Sequence, residues 1–383
     1  MILTRRSFEL LFAISLPAAA LMGQAPAAKP PAEKPQPDVL VLKDDERLIG
    51  HLVRATGSSV VFKSDMLGEV TTDWSKIKEL HTSGRYAVVE KNVKMGRHPD
   101  TSGVPKGSLD MAGGTVAVHT QPGAAPGTMP VADAQHVIDE ATFQKDVEHS
   151  PSLLEDWNGT VTAGASLVQA TQKSRAFTGG IHMVRAIPAE TWLEPRDRTT
   201  LDFSASESFI SQPDAPTIKT QILHADAERD EYFSASRVFA FGQAIFDHNY
   251  SQGLDLQQNY GGGFGWTTIK TANLTLDLKG SMDYVRQAFQ PPAVSHSLVA
   301  SIFSETLTRH LPRGMTFLEQ VSATPTWNIS SAWQASGSAS FAAPVYKRLT
   351  FTIGVQDNFL NDPPPGFRKN SFQATTGLTY TLH

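Results

Sequence analysis

From Trp157 to His383 apolar and polar positions alternate in segments of about ten to fourteen residues, each bounded by a polar or Pro/Gly-containing turn. "WNGTVTAGASLVQ" sets Trp157, Val161 and Ala163 against Asn158, Thr160 and Thr162; "TLDFSASESF" sets Leu201, Phe203 and Phe209 against Asp202, Ser204 and Ser206. "LDLQQNYGGGFGW" gives Leu254, Leu256, Tyr260, Phe264 and Trp266 against Asp255, Gln257 and Asn259. "KRLTFTIGVQD" gives Phe351, Ile353 and Val355 against Thr350, Thr352 and Gln356. Successive side chains of a strand point to opposite faces, so each segment predicts a strand with one apolar and one polar face. Counting weaker runs near 175–187, 218–228, 232–246, 296–308, 316–326 and 330–341, the pattern predicts twelve strands.

Alternating strands with one polar face also build soluble sandwiches. These segments are longer than the usual five or six residues, however, and about ten residues is the length that crosses a bilayer in a closed barrel, apolar set toward lipid and polar set toward the lumen. The last segment, "TTGLTYTLH" (Thr375–His383), places Leu378, Tyr380 and Leu382 on one face and Gly377, Thr379 and Thr381 on the other. In a closed barrel this strand pairs with the first and lipid covers its apolar face. The expected fold is all-β: an antiparallel transmembrane barrel of about twelve strands over 157–383. Arg185, Glu207 and Arg237 fall on apolar sets, and a lipid-facing Arg at the midplane costs about 2–4 kcal/mol, so either these three lie near strand ends or the register differs there.

Residues 38–148 read as a separate β-rich module. Short Val/Leu/Ile/Phe strands alternate with turns at 43–47, 55–58 and 66–69, and a degenerate copy follows about 57 residues on, matching Gly50 to Gly107 and, approximately, Leu80 to Ile138. This predicts two small SH3-like repeats in tandem.

The remaining features place the chain. Two arginines in the first six residues, an apolar run from Leu10 to Met22 and small residues after it read as a signal peptide over 1–27, of the general secretory type in preference to a twin-arginine signal at Thr4–Phe8. A Pro/Ala-rich linker over 28–37 follows. The mean hydropathy of −0.22 leaves no helical span of about 20 apolar residues, and the net charge of −5 gives no concentrated basic face for a nucleic acid. Cysteine is absent, which excludes disulfides and thiolate chemistry.

Catalytic signals are weak. "FDHNYSQG" brings His248, Asn249 and Ser251 into one loop, the composition of a polar hairpin turn. "GGGFG" (Gly261–Gly265) lacks the lysine of a phosphate loop and fits strand curvature or close packing better. The histidines show no ligand spacing, so no metal, cofactor or catalytic residue is expected. The lumen-facing polar sets are small and mostly neutral, with Asp202, Asp255, Gln257 and Gln356 as candidate pore-lining residues and few opposed charges to lock the interior.

The segments "WNGTVTAGAS", "DHNYSQGLDLQQNYGGGFGW", "YVRQAF" and "PVYKRLTFTIGVQDNF", with the closing strand, resemble the YdiY-like salt-induced outer-membrane protein family, domain of unknown function 481. The ending, with Gly377, Tyr380 and Leu382, resembles the C-terminal signal by which the barrel-assembly machinery recognises outer-membrane barrels, departing from it at His383. The resemblance implies an outer-membrane protein with a periplasmic N-terminal module and brings no substrate or catalytic residue. The resulting expectation is a non-enzymatic barrel acting as a narrow passive pore or an envelope-stress structural protein. The alternatives are a periplasmic binding or scaffolding protein anchored by its barrel and, last, an outer-membrane lipid hydrolase. Its expected partners are outer-membrane lipid, the assembly machinery and, through the module, periplasmic proteins or cell wall. The segment 358–370 is expected to be a long external loop.

Overall fold

The computed structural model describes residues 36–93, 100–121, 123, 125–149, 151–169, 173–190, 192–211, 216–233, 237–271 and 273–382. The predicted signal peptide and nearly all of the linker lie outside the described residues. No helix among those described is long and apolar enough to cross a membrane.

The N-terminal region holds ten strands: β1 (Asp38–Leu42), β2 (Arg47–Thr56), β3 (Ser59–Ser64), β4 (Gly68–Asp73), β5 (Ile77–His81), β6 (Tyr86–Glu90), β7 (Lys106–Ala112), β8 (Thr115–His119), β9 (Gly127–Pro130) and β10 (Ala134–Asp139). The two repeats share one six-stranded barrel and do not close separately. The ring runs β1-β5-β7-β6-β10-β2 and closes through β1–β2, so β2, β1 and β5 of the first repeat form one half and β7 and β10 of the second, with β6 between them, form the other; β3–β4 and β8–β9 are extensions. Gly50 and Gly107 occupy equivalent places: a Cβ on either would lie about 2 Å from the carbonyl oxygen of Lys63 or His119 on the neighbouring strand, so only glycine permits the approach. The approximate match of Leu80 to Ile138 sharpens by one residue, to Leu80 and Val137. Leu80 and Val137 both enter the inner core with Leu40 and Val88, whereas Ile138 turns to the other face, because a slip of one residue reverses a strand's faces.

The second region is a closed antiparallel barrel of twelve strands. These are β11 (Trp157–Gln169), β12 (Lys173–Ile187), β13 (Asp197–Ser211), β14 (Ile218–Tyr232), β15 (Val238–Asn249), β16 (Leu254–Lys270), β17 (Leu274–Phe289), β18 (His296–His310), β19 (Thr316–Thr324), β20 (Gln334–Tyr346), β21 (Leu349–Leu360) and β22 (Asn370–Leu382). Every neighbour is a sequential hairpin except β22, which pairs with β11 (Leu378 opposite Ala163, Leu382 opposite Gly159) and so removes the free edges. Leu201, Phe203, Phe264, Ile353 and Leu378 are exposed on the outside, the face the alternation predicts.

The two regions meet at the barrel end where β11 begins, here the module end. Leu193, in the β12–β13 loop, completes a core with Ala87, Ile138, Phe143 and Val147 of the module, and Trp192 packs on its edge. The Arg196 guanidinium donates to the carbonyls of Asp146 (2.9 Å) and Val147 (3.3 Å), and His136 hydrogen-bonds Glu194 at 3.2 Å. The loop is thereby held by both apolar burial and buried polar contacts.

Arg185 lies close to the end of β12, and Arg237 immediately precedes β15, both at the module end. Glu207, toward the other end of β13, pairs with Lys219. All three outward charges thus sit away from the barrel's waist.

Candidate functional site

Inside the barrel lies a chamber of about 520 Å³ whose walls are chemically unlike. On one side β12 to β17 present alternating ionisable residues. His182 hydrogen-bonds Asp202 at 2.6 Å, His224 Nδ1 hydrogen-bonds Asp247 at 2.7 Å, and the Lys279 ammonium donates to Glu228 at 2.6 Å. Asp202 and Asp226 stand opposite each other across β13 and β14 with both side chains lining the chamber. On the other side β11 and β18 to β22 contribute hydroxyls and amides, among them Thr162, Ser304, Gln320, Thr352 and Gln373.

Toward the module end the lumen beneath this wall is narrowed by paired side chains. Arg198 of β13 donates to Asp230 of β14 at 2.7 Å and reaches Asp277 of β17 at 3.1 Å, a chord spanning the intervening strands. The Thr267 hydroxyl also donates to Asp277, at 2.7 Å. The guanidinium lies over the rings of Phe239 and Tyr232, and Lys279 over Phe241. Asp230, Asp277 and Phe239 are all buried. Paired charges under rings are how such groups tolerate removal from water. The "GGGFG" run makes room for them: a Cβ on Gly265 would stand 2.2 Å from the Phe239 ring directly across the strand pair, and one on Gly261 would meet the Asp283 carboxylate. These glycines leave room for side chains of the neighbouring strands, Phe239 and Asp283.

At the opposite, far end, loops close in. The β15–β16 turn (Tyr250–Gln252) reaches across to β21 and β22: the Gln252 amide donates to the carbonyls of Asn358 (2.9 Å) and Lys369 (2.6 Å). Leu254, Phe289 and Leu360 pack together beside it, and Ala332 of the β19–β20 loop packs against Val285 and Leu298.

Of the residues singled out from the sequence, Asp202, Gln257 and Gln356 line the chamber together. Asp255 does not. A register shift between Leu254 and Leu256 turns Leu254 inward and leaves Asp255 exposed, outside the chamber lining. The expectation of a lumen with few opposed charges is likewise corrected: Arg198, Lys279, Glu228, Asp230 and Asp277 crowd its module-end half. Their signal was readable, since "HADAERDEY" repeats His224, Asp226, Glu228 and Asp230 at every second position with Ala225 and Ala227 between them.

Ser251 Oγ hydrogen-bonds Asn249 (2.6 Å) and Ser371 (2.9 Å), while His248 Nδ1 bonds the carbonyl of Asp255 at 2.6 Å. The serine hydroxyl is engaged by a turn and a neighbouring loop, with no imidazole among its bonded partners, which is the pattern of a hairpin cap and not of an activated nucleophile. No group of three or more His, Cys, Asp or Glu among the described residues is placed to hold a metal ion. In the last strand, Gly377 faces the lumen, a Cβ there lying 2.9 Å from the Ala163 carbonyl, and Tyr380 faces outward opposite Val161.

The barrel coincides with a known family. The model "Protein of unknown function, DUF481" matches residues 161–382, from the first strand of the barrel to the last. This chain belongs to the DUF481 family. The match is to the family as a whole and does not single out its YdiY-like members. No curated protein matches significantly.

Among solved structures, this DUF481 barrel is similar to an outer membrane channel from Pseudomonas putida F1 (11% identity, 61% of this chain and 100% of that one, TM-score 0.37). It is also similar to NanC porin (9% identity, 58% and 100%, TM-score 0.36). A third similar structure is the translocator domain of the autotransporter NalP from Neisseria meningitidis (11% identity, 58% and 87%, TM-score 0.32). The fold of the DUF481 region stands on its own strand pairing, described above.

Proposed function

We propose that this DUF481 protein spans an outer membrane as a narrow, cation-preferring passage, with its tandem module on the periplasmic side. The observation that carries this reading is the pairing of an apolar exterior with a polar chamber in one closed barrel. Lipid is the one solvent in which rows of exposed Leu, Phe and Ile at every second position are stabilising, and water or a polar solute is what Asp202, Asp226 and Asp247 are built to face. Cation preference follows from the carboxylates of the chamber wall, which outnumber its one lysine, although His182 and His224 each engage an aspartate. The β15–β16 turn forms the external constriction and the Arg198 cluster the internal one. Because the module precedes β11, the far-end loops, including 361–369, face outside.

Purified full-length protein in a planar bilayer tests the reading. Small, cation-selective unitary currents are expected, and Asp202→Asn with Asp226→Asn should bring the reversal potential in a salt gradient toward zero while the barrel still folds. A correctly folded protein without any current would refute the passage. Orientation is tested on intact cells with a single cysteine: Arg368→Cys should react with an impermeant maleimide and Asp65→Cys should not, and the reverse result would invert the topology.

A further inference from the structure

Arg185 faces the outside of the barrel, in one register row with Trp157 and Thr199, yet it is only 3% exposed. What covers it is the chain segment that leads into the first strand. The Arg185 guanidinium donates to the carbonyls of Pro151 (2.9 Å), Ser152 (3.0 Å) and Glu155 (3.1 Å), so this segment is folded onto the outer wall of β12. The Trp157 indole donates to the Leu153 carbonyl at 2.8 Å and ties the segment to β11 as well. Beside Arg185, the outward residues Asp197, Arg229 and Glu231 form an ion-paired group, with Arg229 3.5 Å from Asp197 and 2.9 Å from Glu231. Outward charges concentrated at one end of an otherwise apolar wall mark the level at which hydrocarbon gives way to headgroups.

The segment pinned at that level carries its two apolar side chains away from the protein: Leu153 is 76% and Leu154 91% exposed. They are flanked by Ser152, Glu155 and Asp156, and three carbonyls that could have bonded water are committed to a single guanidinium. Two leucines held outward from a pinned backbone, continuous with Trp157 and then Val161 on the apolar wall, have the arrangement of an interfacial anchor.

We propose that Pro151–Glu155 is a membrane-surface anchor, in which Leu153 and Leu154 enter the acyl boundary of the module-side leaflet while Arg185 holds the backbone against the barrel. The inference rests on the membrane-spanning reading of the barrel. It gives the join between module and barrel a lipid partner of its own, so the module is held at a fixed height by lipid as well as by the β12–β13 loop.

The chain has no cysteine, so single variants can be labelled uniquely. Full-length Leu154→Cys and Phe203→Cys, each carrying an environment-sensitive fluorophore, are reconstituted into phosphatidylcholine vesicles containing nitroxide-labelled lipid or, separately, iodide on both sides. Loss of emission to nitroxide lipid with shielding from iodide at both positions supports the anchor. Quenching of position 203 by nitroxide lipid with position 154 quenched by iodide alone overturns the anchor and leaves the membrane reading standing. Failure of nitroxide lipid to quench position 203 overturns the membrane reading and the anchor with it. Adding Arg185→Leu should expose the label at 154 to iodide without changing the label at 203; an unchanged response at 154 would remove Arg185 from the proposal.

Discussion

Gln252 and Asn358 are joined across the far mouth of the barrel: the side-chain amide of the first, in the β15–β16 turn, donates at 2.9 Å to the main-chain carbonyl of the second, at the far end of β21. The same nitrogen reaches the carbonyl of Lys369 at 2.6 Å, and Gln252 is buried. A neutral amide bound to two backbone acceptors is a strut that can be removed without leaving a buried charge, at a cost of about 1 kcal/mol per bond. Gln252→Ala is therefore expected to fold normally and to raise unitary conductance or the fraction of time spent open. A current unchanged by the substitution would show that the turn does not limit passage.

The Phe239 ring occupies the space left by Gly265 on the paired strand. A methyl placed 2.2 Å from that ring has to displace it into the Arg198 cluster, and overpacking of this kind costs about 1–3 kcal/mol. Gly265→Ala should lower the temperature at which the barrel loses its folded electrophoretic mobility in detergent. Phe239→Leu should recover part of the loss when combined with it, whereas simple additivity of the two changes would show that the pair does not interact.

Arg198 neutralises two buried carboxylates. Arg198→Met leaves Asp230 and Asp277 without the guanidinium that pairs with both, and breaking a buried ion pair from one side costs about 3–5 kcal/mol. The same unfolding measurement should register a large loss for Arg198→Met. The triple change Arg198→Met, Asp230→Asn, Asp277→Asn should be milder than the single one, because it also removes the stranded charges. If the triple variant is no more stable than the single, the cluster is not held by charge pairing.

The barrel was legible because its physics is periodic. Leu201 and Phe203 alternate with Asp202 and Ser204, and no environment other than a two-faced sheet makes that spacing useful. The closing pair β11–β22 followed from the same rule. What the alternation cannot carry is a change of phase. The register shift between Leu254 and Leu256 leaves no trace in residue type, so Asp255 was placed in the lumen when the strand in fact turns it away. Long-range partners were hidden for a different reason: Arg198 and Asp277 are far apart in sequence and meet only once the barrel closes. The repeat of the module was visible through Gly50 and Gly107, but the joining of both copies into one six-stranded barrel is a property of the sheet order and not of either copy.

Glu194 links the barrel to the module by accepting a hydrogen bond from the His136 imidazole Nε2 at 3.2 Å. That hydrogen bond, helped by the nearby charge of Lys270 and opposed by partial burial, holds the Glu194 carboxyl below its ordinary value. A carboxyl whose value is lowered on folding contributes stability that is present above the unfolded value, near 4.5, and is lost as pH falls through the folded value. The seating of the β12–β13 loop against the module should therefore be unaffected by this group at neutral pH and should weaken on acidification below the unfolded value of 4.5. Trp192 stands beside His136, with ring centroids 5.8 Å apart, and provides a local probe. Its fluorescence, isolated by replacing the chain's other tryptophans with Phe, is expected to report a transition in that acid range. Glu194→Gln should remove the transition at this site without shifting unfolding of the barrel strands. A Trp192 signal that titrates identically in the Gln variant would assign the acid response to another group and leave Glu194 as a packing contact alone.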